Sequence, residues 1–432
     1  MNPTESRRWR LSTLTTSPHR LCFFWAGALW VVWALWWALA VLGATGTSVP
    51  GAVVDAYALH ALGFTLGWLP LFISGFAATA GPQWVRGPPV AAKDLRAGVA
   101  AFVSGWAICA AGVLGDLRIA AAGLALVATG LAAIVVRLAA LTSSGDPTRR
   151  SHLAATTAAL GLMVLCLASA AFAVATTRSH WLAPIARMAL WSVVTVFIVV
   201  SHRMLPFFGD GAFPIIERHW PDAPLWGLVS VPLVQGVLPL LPMSATSSPA
   251  LRWAVSAHLA LAAAVSLRLT LRWWGKPALR QTMLRHLFIA LLWWNVALVL
   301  GTVATCPGVP ADWSARLQGA SLHAVTLGYL GGTALAMLTR VSAARDGRPI
   351  AFDAFARVLH GGLQVAVMSR LAASLWPAFA SVALPLAAMA WLGVAAGWWA
   401  RHARWLGLHQ GRAAGARASL KAAGPVEPRS GR

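Results

Sequence analysis

The sequence is poor in carboxylates: 432 residues carry 12 Asp and Glu against 34 Lys and Arg, and Glu occurs only at Glu5, Glu217 and Glu427. Ion-coupled carriers and proton pumps usually place a carboxylate near the bilayer midplane to load and release cations, and none is evident here. Charged residues of all kinds make up 11% of the chain, too few to wrap a soluble domain of this size in a polar surface. Cysteine is also rare. Cys22, Cys109, Cys166 and Cys306 lie far apart without a CxxC pair, which argues against both a thiolate metal site and a disulfide framework and leaves them as small core residues. No Ser/His/Asp set, phosphate loop or paired carboxylates are visible, so whether the protein is an enzyme is left open.

What the sequence has in abundance is apolar length. Hydrophobic residues make up 58% of it, and stretches of the roughly 20 apolar residues that cross a bilayer recur from Leu21 almost to the C-terminus. The expected fold is therefore an all-α, polytopic transmembrane helical bundle in a lipid bilayer. Apolar runs read against Pro, Gly and charge give about twelve spans: 21–43, 57–80, 97–115, 117–141, 153–175, 181–202, 224–243, 250–272, 283–305, 320–340, 350–375 and 379–400. The first run follows an Arg-rich start but is too long for the apolar core of a signal peptide, and is expected to be an uncleaved helix. The third and fourth spans share a tight turn at Asp116 and Arg118, the weakest point of the count; eleven spans would put the two termini on opposite sides.

The net charge of +22 is spread over loops and tails rather than massed on one soluble face, which points to membrane topology and away from nucleic acid. Arg86, Lys93, Arg96, Arg149, Arg150, Arg203, Arg218, Arg272, Lys276, Arg280, Arg340, Arg345, Arg348 and both basic tails fall on one side. The other side holds Arg118, Arg178, Arg187, Arg252, Arg316 and, near a span end, Arg370. The side rich in Lys and Arg is expected to be cytoplasmic, with both termini there. Residues 1–400 are expected to form the transmembrane domain and 401–432 a basic cytoplasmic tail, disordered or resting on anionic headgroups. No internal repeat is apparent.

Histidine takes the place of the missing acids. His60, His202, His258, His286, His323 and His360 fall within or at the ends of spans, where a polar group is costly unless bonded or ligated. His60, His258 and His323 are expected toward the outer ends, His202 and His286 toward the inner ends, and His360 nearer the middle. Gly63 and Gly67 follow His60 on one helix face, and Gly331 and Ala334 follow His323. Two histidines over such smooth faces suit a flat macrocycle with imidazole axial ligands; the alternative is GxxxG helix packing at Gly63 to Gly67 and Gly328 to Gly332. Tyr57 and Tyr329, the two tyrosines, and the 24 tryptophans are expected chiefly as interface anchors and packing.

Three Gly/Pro-punctuated segments end even-numbered spans on the inner side: Gly75 to Trp84 (GFAATAGPQW), Ser201 to Phe208 (SHRMLPFF), and His323 to Ile350 with its Met337-Leu-Thr-Arg-Val run and Gly347-Arg-Pro. They place Trp84, Arg203, Arg340 and Arg348 in one layer, where arginine either holds an anion or snorkels to headgroups. These segments resemble, in order, the GFLLTAxPNW, GRxxPxF and HAxxxGxxGxxxLxMxTRVxLGHTGRP patterns of the NnrS family. The resemblance implies a bacterial inner-membrane protein associated with haem and copper and linked to nitric oxide metabolism and nitrosative stress. It marks His323 as the leading metal ligand and His60 as the second, with His202 a further candidate and Arg340, Arg348, Arg203 and Trp84 as cofactor-binding residues. Two departures weigh against copper: Ala61, Leu62 and Gly63 follow His60 where the family commonly has a second His and a Glu, and Arg345 replaces a His; in a third, His202 replaces a Gly and offers a substitute ligand. The expected function is thus a haem-binding membrane protein of nitric oxide metabolism or the nitrosative-stress response, with nitric oxide or another small ligand and a redox or respiratory partner as expected partners. The alternatives are a small-molecule transporter and a haem-free scaffold for a respiratory complex.

Overall fold

The computed structural model describes residues 9–43, 55–209, 222–242, 247–273, 282–345 and 353–408. These residues are almost wholly helical and form no sheet, as the hydropathy requires. The main helices are α1 (Pro18–Val41), α2 (Ala56–Leu66), α3 (Leu69–Trp84), α4 (Arg96–Val113), α5 (Leu117–Ser144), α6 (Ser151–Ala175), α7 (Leu182–Gly209), α8 (Asp222–Val237), α9 (Pro249–Trp273), α10 (Thr282–Thr305), α11 (Ala311–His323), α12 (Gly332–Arg345), α13 (Ala354–Leu375) and α14 (Ala380–Gly407). Helix starts follow local chemistry. Pro18 opens α1, where its missing N–H costs nothing. Asp55, Asp116 and Asp353 cap α2, α5 and α13 by accepting from Ala58 N, Arg118 N and Ala356 N at 3.0, 2.7 and 3.0 Å.

Eleven helical stretches in the described residues are long and apolar enough to cross a membrane, with α2–α3 counted as one and α11–α12 as another. The more polar α13, carrying Arg357, His360, Gln364 and Arg370, is the twelfth. Its 22 residues rise about 33 Å, enough to span the hydrocarbon layer. Parity supports its crossing. Trp9 and Leu408 form a β-bridge, Arg10 N donates to Gly407 O at 2.9 Å, and Arg20 donates to Leu406 O at 2.6 Å, so both described ends lie on one face. Twelve alternating crossings satisfy that closure and eleven do not. The face with Trp9 and Leu408 is called the terminal face below, and the opposite one the distal face.

The doubtful turn at Asp116 separates two real helices. Gly98, Gly105 and Gly112 of α4 meet Gly130, Gly123 and Ala120 of α5; a Cβ on Gly105 would stand 2.6 Å from Val127 N. Only bare backbone permits that approach. At the other end of the chain, α14 runs past the expected boundary at residue 400 to Gly407, held by the contacts to Arg10 and Arg20. Residues 409–432 lie outside the described residues.

Neighbouring spans close a ring in which α1 touches both α14 and α4. Two crossings are far more enclosed than the rest: α2–α3 and α11–α12, with 83% and 78% of their most apolar stretches buried, against 67% or less in the others. Both are irregular. Between α2 and α3 the chain leaves helical geometry at Trp68 (φ −138°, ψ −35°), next to Gly67 and ahead of Pro70. Between α11 and α12, residues Ala324–Gly331 form a π-helix.

The break at Trp68 turns its indole onto Trp30, with rings parallel and 4.7 Å apart. Trp391, Trp398 and Phe72 pack around this pair at 5.2, 6.1 and 6.4 Å from Trp30. Trp30 and Trp398 are completely buried. Many tryptophans therefore build the core rather than an interfacial belt. The four cysteines are free thiols, with Cys22, Cys109 and Cys166 buried and Cys306 partly so, in keeping with a packing role.

Candidate functional site

The two enclosed, irregular spans carry the two leading histidines. His323 is the last residue of α11, immediately before the π-helix. Its Nδ1 lies 2.8 Å from Gly319 O. A carbonyl only accepts, so Nδ1 carries the proton and the lone pair of the neutral ring resides on Nε2. A backbone partner on one ring nitrogen is the usual way of orienting a histidine whose other nitrogen ligates a metal.

His60 sits in the middle of α2 between Trp37 and Phe64, with ring centroids 3.9 and 4.6 Å away. Its Nδ1 is buried and has no hydrogen-bond partner among the described residues. Such a group carries a desolvation cost that a ligand would relieve.

Arg370 of α13 completes the constellation. Its guanidinium lies within electrostatic range of His60, His323 and Tyr57. It donates to Ser374 Oγ at 2.6 Å, and that hydroxyl in turn borders Gly319, the residue that accepts from His323. The sequence did carry a signal for it: an arginine within a span is a functional candidate by default. Its partners could not be read, because three separate crossings bring them together.

The glycine faces do not provide the expected cradle for a macrocycle. A Cβ on Gly63 or Gly67 would fall 2.3 or 2.2 Å from the indole of Trp33. On the other span, Gly328 is filled by Trp293 and Gly331 by Trp391, whose side-chain atoms a Cβ would meet at 2.5 and 3.2 Å. Gly63, Gly67, Gly328 and Gly331 thus seat flat indoles, while Gly332 packs on Ala290 of α10 as the GxxxG alternative expects. Tyr57 is 65% exposed, whereas Tyr329 is buried deep in the bundle with its hydroxyl 3.5 Å from Ser201 Oγ, away from any interfacial belt.

The other sequence candidates disperse. His202 pairs with His152, Nδ1 to Nε2 at 3.1 Å, near the terminal end of α7. Arg203 follows it as an exposed residue on α7. Trp84 is buried against Phe76, with ring centroids 5.7 Å apart, and Arg340 reaches Met283 Sδ at 3.5 Å. Trp84, Arg203 and Arg340 all sit near the terminal face, on α3, α7 and α12; Arg348 lies outside the described residues. His258 Nε2 bonds Ser230 Oγ at 2.7 Å. His360 lies nearer the terminal face than expected, because α13 begins only at Ala354, and its ring stacks on His286 at 3.6 Å. Sequence reasoning passed over His19 and His402, both buried where α1 and α14 meet the terminal face.

With this geometry in place, comparison with known proteins is decisive on family. The chain matches the family described as NnrS protein over residues 13–409. It belongs to the NnrS family. That match takes in both enclosed spans and every described candidate residue. No curated protein matched the chain.

For a haem of the kind associated with the NnrS family, the donor set is suitable: an oriented imidazole on His323, an unpartnered ring nitrogen on His60, and the cationic Arg370 for an acidic edge. Copper is less well served. Among the described residues no group of three or more His, Cys, Asp or Glu is placed to hold a metal ion.

Proposed function

We propose that this member of the NnrS family is a haem-binding membrane protein of nitric oxide metabolism or the nitrosative-stress response, with His323 and His60 as the ligating residues. The orientation of His323 supports this most strongly: its proton is committed to Gly319 O, which leaves Nε2 as the basic nitrogen. A bound haem would supply a redox-active iron able to take up a small ligand such as nitric oxide. The chain's own residues hold it, keep water away and balance its charge. Arg370, with a hydroxyl rather than a carboxylate beside it, retains a charge to offer an acidic group of the cofactor. The buried apolar walls of α2–α3 and α11–α12 lower the local dielectric and tune the potential.

A reduced-minus-oxidised optical spectrum of the purified protein tests the proposal. The wild type is expected to show haem bands, with His323→Ala losing most of the bound haem and His60→Ala losing or altering one ligand. Absent bands, or bands unchanged in both variants, would overturn it. Thermal melting of each variant separates loss of ligand from loss of fold.

One observation favours a second function, transport. Interrupted helices near the centre of a bundle commonly form substrate sites in transporters, and α2–α3 and α11–α12 are both interrupted. This alternative predicts substrate flux and alternating accessibility beside His60 without bound metal. Cysteine labelling on either side of His60, with and without substrate, distinguishes the two.

A further inference from the structure

A second polar feature adjoins His323 on another face of α11, where Gly319, Leu322 and, just past the helix end, Val325 line a cavity. This cavity of about 750 Å³ opens toward the distal face among α7, α8, α9, α10 and α11, a size typical of small-molecule sites. Its polar wall comprises Arg187, Gln235 and Arg252. These groups supply donors. Arg252 is fixed by bonds to Thr305 O and Cys306 O at 3.3 and 3.0 Å, which leave further N–H groups of its guanidinium unassigned. Gln235 Nε2 is buried and lacks an acceptor among the described residues. Among the described residues no Asp or Glu lines the cavity. Two guanidiniums at the cavity mouth, Arg187 exposed and Arg252 half-buried, together with the unmet amide donor of Gln235 call for an anion.

Below that wall the lining becomes apolar in step with helix depth. Trp191 lies one turn below Arg187 on α7. Val255 and Leu259 follow Arg252 on α9, and Leu298 and Trp294 lie inward of Thr305 on α10. From Thr305 to Trp294 the helix descends about 16 Å. A small inorganic anion would leave this lower chamber unfilled, and a plain hydrocarbon would leave the donors unmet.

We infer that this cavity is a binding site for an amphiphilic anion, with a carboxylate or phosphate head at Arg187, Gln235 and Arg252 and an apolar chain directed inward past Trp191 and Trp294. The site needs no metal, and its anion-binding groups Arg187, Gln235 and Arg252 are separate from His60 and His323, although it shares Gly319 with the His323 arrangement. The head can belong to a membrane lipid or to a free fatty acid; the shared chemistry is an acidic group on an acyl chain.

The test uses full-length protein in neutral detergent with three probes: dodecanoate, dodecanol and phosphatidylglycerol. Native mass spectrometry reads stoichiometry, and ligand-induced thermal shift reads affinity. Saturable 1:1 retention of dodecanoate or phosphatidylglycerol over dodecanol is expected, weakened at least tenfold in Arg187→Gln and partly restored in Arg187→Lys. Dodecanoate binding alone identifies a free acid as occupant, and phosphatidylglycerol binding alone a lipid; either supports the site. Equal retention of dodecanol, or equal anion binding by wild type and Arg187→Gln, overturns it. Should Arg187→Gln fail to fold, Gln235→Leu, which removes the unmet donor at nearly constant volume, carries the same comparison.

Discussion

Gly63 and Gly67 show how a residue's role is half written in the sequence. Their spacing marks a smooth helix face below His60, and that face exists. What fills it, the Trp33 indole of α1, is set by the packing of a different span and has no local signature. The indole occupies the volume a Cβ would need, so replacement of Gly67 is an overpacking change. Gly67→Ala is expected to destabilise the protein by about 1–3 kcal/mol, read as a lowered melting temperature in detergent. If Gly67→Ala melts with the wild type, the close seating of Trp33 is wrong. The matching change on the other span is Gly328→Ala against Trp293, where a Cβ would fall 2.5 Å from the side chain. His323 was legible as a candidate from its motif and its bond to Gly319 is local to α11, whereas its proximity to His60 and Arg370 required three crossings to be assembled.

At the scale of elements, each enclosed span is interrupted beside its histidine. The break after α2 could be anticipated, since Gly67-Trp68 ahead of Pro70 is a helix-ending combination. The π-helix could not. Ala324–Gly331 has no proline, and although Gly328, Gly331 and the β-branched Val325 and Thr326 weaken an ordinary helix, they do not specify wide turns. Such turns often occur at functional sites because they aim a side chain that a regular helix would direct elsewhere. Deleting Leu327 removes a residue from the wide turns and rotates His323 by about 100° relative to α12. The deletion variant is expected to fold but to lose the haem bands assigned to His323, with little change in helix content by circular dichroism. Unchanged haem binding in a folded deletion variant would show that the π-helix does not position the ligand.

For the whole molecule, the scarcity of acids acquires a purpose. Three aspartates cap helices, and Asp353 also clasps Arg401 of α14 through bonds of 2.8 and 2.6 Å, tying the terminal ends of α13 and α14 together. The Arg401 bond holds the Asp353 carboxyl down to about 2 from the usual 3.8. Because the folded value is the lower one, this contribution is complete above about pH 4 and is lost as pH falls toward 2. The carboxylate is 43% exposed, so its contribution is about 1 kcal/mol or less. Asp353→Asn should therefore melt slightly below the wild type at neutral pH and converge with it in acid, and a constant gap across that range would exclude the pair as the cause.

The same helix decides the topology. α13 is the crossing with the most interrupted apolar run, read from the sequence as span 350–375 although Arg357, His360, Gln364 and Arg370 fall within it. Three of the four face protein, since His360 stacks on His286, Gln364 accepts from Trp293 Nε1 at 2.8 Å, and Arg370 bonds Ser374 beside Gly319, while Arg357 is exposed near the terminal end of the helix. A span that looks too polar for lipid is thus one that brings polar groups into the bundle, and the bridge between Trp9 and Leu408 demands that it cross. Single cysteines placed at Asp353 and Trp376, in a background without the four native thiols, are expected to react with an impermeant maleimide from opposite sides of sealed vesicles. A cysteine at Trp9 should share the side of the one at Asp353, the side that the Lys and Arg distribution proposes as cytoplasmic. Labelling of both ends of α13 from one side would reduce the count to eleven and remove Arg370 from the membrane site.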